Sequence, residues 1–89
     1  MARRVDDNQA EIVAALRAIG CTVESLHAVG RGVPDLLVGY RGENLLLEVK
    51  GAAGSLTPEQ RAWHPHWRGQ VAVVHSIEEA LKVAQGVKG

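Results

Sequence analysis

The chain has 89 residues, 46% of them hydrophobic, and its ten Lys and Arg are balanced by ten Asp and Glu. Those figures bound one globular domain over residues 1–89 and exclude a broadly polybasic surface, while the lone Cys21 excludes an intrachain disulfide. Phe is absent and only Tyr40, Trp63 and Trp67 are aromatic, so the core must be built from Leu, Val, Ile and Ala; a chain this short stabilises itself marginally, and a homodimer is expected on size.

At the start, Met1-Ala2-Arg3-Arg4 leads to Asp6-Asp7 without an apolar stretch, and no run approaches the length of a membrane span. A cytoplasmic protein is expected. Asp6 with Gln9 reads as a capping box and Gly20 as a helix stop. Between them Ile12, Leu16 and Ile19 recur at i, i+4 and i+7, joined by Val13, as one buried stripe. Asn8, Glu11 and Ala15 fall on its flank, so Glu11 stands at the edge of the core. Cys21 follows in an apolar context that suits a buried, inert thiol.

Thr22 to Ala28 is predicted as a first strand, followed by the connector Gly30-Arg31-Gly32. Two glycines there suit turn geometry. No helix start follows them, which excludes a P-loop.

Two apolar runs come next, Val33-Pro34-Asp35-Leu36-Leu37-Val38-Gly39-Tyr40 and Glu43-Asn44-Leu45-Leu46-Leu47-Glu48-Val49-Lys50, separated by Arg41-Gly42. They predict a β-hairpin. A two-residue turn at Arg41-Gly42 pairs Tyr40 with Glu43, Val38 with Leu45 and Asp35 with Glu48, whereas a bulge at Gly42 would slip the pairing by one. Directly opposed residues hold their Cβ atoms about 4.5–5.5 Å apart, where like charges destabilise a sheet. A divalent cation would account for two carboxylates so placed. Lys50, two residues beyond Glu48, points to the same face. Oxygen-only ligands favour hard cations such as Mg²⁺, which take one or two carboxylates plus waters and phosphate oxygens. Asp35, Glu48 and Lys50 together therefore point to metal-assisted phosphodiester hydrolysis, with Lys50 positioning water, stabilising phosphate charge or acting as base. The plainer alternative is a surface ion pair between Glu48 and Lys50 with a turn Asp35 after a proline.

Beyond the small-residue loop Gly51-Ala52-Ala53-Gly54, Thr57-Pro58-Glu59-Gln60 has the signals of a helix start: a Thr N-cap, Pro at N1 and Gln at N3. Gln60 is thus a capping-box partner or a site residue. Pro65 should end or kink this helix. His64 and His66 flank it and, with Trp63 and Trp67, would either contact nucleic acid or complete the core. A zinc site from His64, His66 and His75 lacks a recognisable ligand spacing. Gln70 to His75 is predicted as a last strand buried on both faces. Ser76 with Glu79 then caps a terminal helix whose apolar residues are Ile77, Leu81 and Val83, ending near Gly86. Arg31, Arg61 and Arg68 remain available for phosphates.

Pro34-Asp35 followed by Glu48-Val49-Lys50 resembles the PD-(D/E)XK nuclease signature. Further matches narrow the resemblance to the VRR-NUC (virus-type replication-repair nuclease) domain: Asn8 and Glu11, Gly32-Val33-Pro34-Asp35-Leu36-Leu37, Leu47-Glu48-Val49-Lys50-Gly51, Leu56-Thr57-Pro58-Glu59-Gln60, and Trp63 ahead of Gly69-Gln70-Val71-Ala72-Val73-Val74. The resemblance runs from Val5 to Val83. It implies an α/β restriction-endonuclease-like core in α-β-β-β-α-β-α order, with a central mixed sheet flanked by helices, and Mg²⁺- or Mn²⁺-dependent cleavage of DNA. It further implies Asp35, Glu48 and the Val49 carbonyl as metal ligands, and Glu11 assisting the metal directly or through water. Lys50 would serve the nucleophilic water and Gln60 would support Lys50 or the scissile phosphate. Similar small resolvases of Holliday junctions act as dimers on branched DNA, but they carry a serine and more basic residues around the first loop, where this chain has Gly30-Arg31-Gly32.

Three readings follow: a metal-dependent, structure-selective endonuclease; a non-catalytic DNA-binding module on the same scaffold; and an assembly protein in which the acidic pair is structural. Loss of a carboxylate or of the lysine would point to the second, and all three are present.

Overall fold

The computed structural model describes residues 5–86, with side chains described from residue 8 onward. Its elements run α1 (Val5–Ala18), β1 (Thr22–Ser25), β2 (Leu36–Tyr40), β3 (Glu43–Val49), α2 (Pro58–Trp63), a 3₁₀ turn over His64–His66, β4 (Val71–Val74) and α3 (Ile77–Gln85). This is the α/β order expected from the sequence. The four strands form one mixed sheet in the order β1-β2-β3-β4. The first two pairings are antiparallel and β3–β4 is parallel.

Helix α1 ends in a Schellman motif: the Cys21 N–H donates to the Leu16 carbonyl and the Gly20 N–H to that of Arg17, each at 3.0 Å. Gly20 adopts φ +103°, which glycine alone takes without strain. Ile12 and Leu16 are fully buried, as the stripe predicts, with Val13 and Ile19 packed beside them. Because α1 already includes Val5, Asp6 stands within the helix rather than at the expected N-cap, and its side chain lies outside the described residues.

The hairpin register is the predicted one, with Tyr40 opposite Glu43, Val38 opposite Leu45 and Leu36 opposite Leu47. Arg41 and Gly42 have φ of +54° and +81°, both positive, as a two-residue type I′ turn requires. Arg41 also lays its guanidinium over the Tyr40 ring, 4.9 Å from the centroid. Strand alternation then sends Leu36, Val38, Leu45, Leu47, Val49, Val23 and Val74 to one face, where they meet Ile12, Leu16, Ala80 and Ala84. Burial of each large aliphatic side chain there contributes roughly 1.5–3 kcal/mol. Cys21 belongs to the same cluster, and burial pushes its thiol pKa up.

Two expectations, on β1 and β4, are corrected. Strand β1 stops at Ser25 rather than Ala28, because the Ser25 hydroxyl accepts the His27 N–H and a turn closes from Val29 to Leu26. Strand β4 is not buried on both faces: it is an edge strand, and of its four residues only Val74 is fully buried. In α3 the inward face is Ala80 and Ala84, both at 0% exposure, while Ile77 is exposed and Leu81 and Val83 only partly buried. Small residues at that position let α3 approach α1 closely.

Candidate functional site

Site geometry begins where β2 does. Pro34 is fully buried and has no N–H to offer, so the ladder stops there. Asp35 takes over the pairing by other means. Its carbonyl accepts the Leu26 N–H at 2.7 Å, and its carboxylate Oδ2 accepts the Val49 N–H at 2.8 Å. The carboxylate is thereby aimed along the sheet at the end of β3.

Glu48 sits opposite by continuation of the register, on the face away from α1 and α3. It is the one buried charged residue among those described, at 1% exposure. Oε2 accepts from Gln60 Nε2 at 3.1 Å and lies 3.7 Å from Lys50 Nζ. Oε1 is buried with no hydrogen-bond partner. Burial raises the Glu48 pKa to about 7, the charge of Asp35 adds to that, and Lys50 offsets part of it. An orphaned carboxylate oxygen in such a position is costly unless something compensates it.

Lys50 is fixed at both backbone groups. Its N–H donates to the Val74 carbonyl at 2.9 Å, and its carbonyl accepts from Asn8 Nδ2 at 2.8 Å. Asn8 is a contact to this cluster that pattern reading left without a role; the signal was a short amide on the flank of the α1 stripe. Gln60, which the sequence assigned either to a cap or to the site, serves both. Its Oε1 accepts the Thr57 N–H while Nε2 reaches Glu48, and Thr57 Oγ1 accepts the Gln60 N–H, completing the capping box.

The loop before Asp35 is held against α2. Gly30, Arg31 and Gly32 all have positive φ, and a Cβ on Gly32 would come within 2.7 Å of the Glu59 carbonyl oxygen. A cleft of about 290 Å³ opens between this loop and α2, lined by Arg31, Asp35 and Gln60 among others.

Asp35, Glu48, Lys50, Val49 and Gln60 are thus brought together. Glu11 is exposed on α1, one turn beyond Asn8, and no three His, Cys, Asp or Glu side chains gather into a metal-holding group among the described residues. That also leaves His64, His66 and His75 without a shared site. Arg31 and Arg68 are exposed, and Arg61 is exposed with its guanidinium donating to the Leu56 carbonyl. His64, expected to face nucleic acid, is turned inward: its Nε2 is buried without a partner. Burial, then the charge of Lys50, lower its pKa, so the ring is neutral at pH 7.

The donor set suits a hard divalent cation: two carboxylates, an orphaned oxygen and room for waters or phosphate oxygens. In an extended strand the N–H and C=O of one residue point the same way, so the Val49 carbonyl is directed to the side where its N–H meets Asp35.

No helix among the described residues is long and apolar enough to cross a membrane. No protein-family model and no curated protein matches the sequence. A solved structure described as a VRR_NUC domain is similar across 98% of this chain and 100% of that one, with 30% sequence identity and a TM-score of 0.78.

Proposed function

Because the chain belongs to the VRR_NUC family and is a nuclease-like domain, we propose that it is a Mg²⁺- or Mn²⁺-dependent endonuclease acting on branched DNA, working as a homodimer. The observation that carries this reading is the buried Glu48 carboxylate set beside Asp35, with one Glu48 oxygen unpartnered and Lys50 Nζ 3.7 Å from the other. A bound divalent cation would supply charge neutralisation at the scissile phosphate and lower the pKa of water beside it.

The protein's own groups do the rest. Asp35 is oriented by the Val49 N–H, and Gln60 fixes the Glu48 carboxylate. Lys50, with its backbone held by Asn8 and Val74, directs its ammonium toward the attacking water and the charge that grows on phosphate. Water then displaces the 3′ oxygen in line. Glu11 would assist through water from α1. Arg31, Arg61 and Arg68 would contact phosphates, and His64, being neutral and inward, would back Lys50 rather than touch DNA. Two copies would present two such sites to a four-way junction or similar branch. Asp35 and Glu48 side by side favour catalysis over a binding-only module, because two carboxylates repel a phosphate backbone unless a cation lies between them.

The test is cleavage of a panel of branched and linear DNAs in Mg²⁺ or Mn²⁺ by the wild type, Asp35→Ala and Lys50→Ala. Metal-dependent cutting by the wild type and none by the two folded variants is expected; undiminished cutting by both overturns the reading.

A further inference from the structure

Leu37 pairs with Leu46 across β2 and β3, on the face that carries Asp35 and Glu48 and two residues along each strand from them. Two residues of extended chain span about 6.6 Å, comparable to the step between successive phosphates of a stretched nucleic acid strand. Trp67 and this leucine pair line a slot of about 210 Å³, together with Asn44, Gly69 and Gln70 among others.

The Trp67 ring is set in place before any ligand arrives. It stacks on Trp63, centroids 5.2 Å apart and planes 18° from parallel, and a Cβ on Gly69 would come within 2.9 Å of its Nε1. Yet 46% of Trp67 is exposed, as expected of a ring covered on one face and open on the other. The exposed Arg68 follows it directly, and the Gln70 amide donates to the Asn44 carbonyl.

We propose that this slot receives an unpaired nucleobase from the strand whose phosphate lies at the Asp35–Glu48 pair. A flat apolar ligand is called for by the indole and the leucines, hydrogen-bonding edges by the Gln70 amide beside the Asn44 main chain, and a negative backbone by Arg68. A nucleobase combines all three. A base reaches such a slot only when it has left its own stack, so the slot selects flaps, bulges and junctions over intact duplex. The inference deepens the nuclease reading and takes from it the position of the phosphate.

The test uses the full chain in Ca²⁺, so that binding is read apart from cutting, and labelled DNA carrying either one unpaired adenine or an abasic site at that position. Removing the base is expected to weaken binding about ten-fold, the scale of one base–aromatic stack, and the adenine DNA to quench indole fluorescence. Trp67→Ala should erase the difference between the two DNAs and Trp67→Phe should retain it. Equal wild-type affinity for the two DNAs overturns the proposal, and so does a difference that persists in a Trp67→Ala protein with wild-type melting. If Trp67→Ala fails to fold, the wild-type comparison and its fluorescence decide. A base preference without cleavage in Mg²⁺ or Mn²⁺ sinks the nuclease reading and leaves the slot standing; no binding to any DNA overturns both.

Discussion

Gln60 joins the start of α2 to the carboxylate of Glu48 with the two ends of one amide. Oε1 accepts the Thr57 N–H at 2.9 Å, and Nε2 donates to Glu48 Oε2 at 3.1 Å. A helix cap and the charged centre of the sheet are therefore mechanically one unit. The cap sets the position of α2, and α2 sets the only amide that reaches the buried carboxylate among the described hydrogen bonds.

Thr57→Ala and Gln60→Ala separate the two roles. Losing the Thr57 cap is expected to cost about 1 kcal/mol. Gln60→Ala removes the reciprocal cap and a hydrogen bond to a charged group, for a cost of about 2–3 kcal/mol. Thermal melts measure both. Cleavage at a temperature where both variants are folded should fall much further for Gln60→Ala; equal losses would mean that Gln60 matters only as a cap.

The pH response of the metal-free protein follows from Glu48. Its folded pKa, about 7, lies above the ordinary 4.5, so the folded state holds more protons than the unfolded between those values. Stability then falls as pH rises from about 4.5 through about 7 and levels off above, by at most about 3 kcal/mol. Glu48→Gln should flatten that slope and raise metal-free stability at pH 8. Denaturant titrations at pH 5, 6, 7 and 8 check this; a slope unchanged in Glu48→Gln would place its source elsewhere.

Metal binding should show the opposite trend, because a cation competes with that same proton. At pH 8, Mg²⁺ or Mn²⁺ at ten times its Kd should stabilise the protein by about 1.4 kcal/mol, and at pH 5.5 the same concentration should do little. Asp35→Asn should lose the effect at both pH values. Differential scanning fluorimetry across a metal titration reads it directly.

Lys50→Met keeps the length of the side chain and removes its charge. With the cation gone, the influence that holds the Glu48 pKa down disappears, so the pKa should rise further and metal affinity at pH 7 should weaken. At pH 8.5, where Glu48 ionises again, the variant should bind metal yet remain inactive. Recovery of cleavage at that pH would reduce Lys50 to a tuner of Glu48.

Gly32→Ala tests the clamp between the loop and α2. At φ +83° a Cβ is strained, and here it would meet the Glu59 carbonyl oxygen at 2.7 Å. A loss of about 2 kcal/mol or more is expected. Gly30→Ala, with φ +70° but nothing within 4 Å, should cost about 1 kcal/mol. Equal losses would show that backbone conformation alone matters.

Local rules written into the chain determined much of this protein. Alternation in two strands and a turn with φ of +54° and +81° leave one register, and that register opposes Asp35 to Glu48. The stop at Gly20, the Thr57–Gln60 box and the Ser76 cap are likewise settled by residues no more than five positions apart. Even the family was legible, because its motifs follow one another in order along the sequence. Tertiary structure alone decided the rest. Nothing local says that β4 pairs parallel to β3 at the sheet edge, that Ala80 and Ala84 rather than Ile77 face the core, or that His64 turns inward. The same holds for Glu48: its position was readable, but its burial, its unpartnered oxygen and its raised pKa depend on α2 closing over that face. Period and capping act through neighbours a few residues away, whereas burial and electrostatics depend on which distant segments exclude water from a given atom.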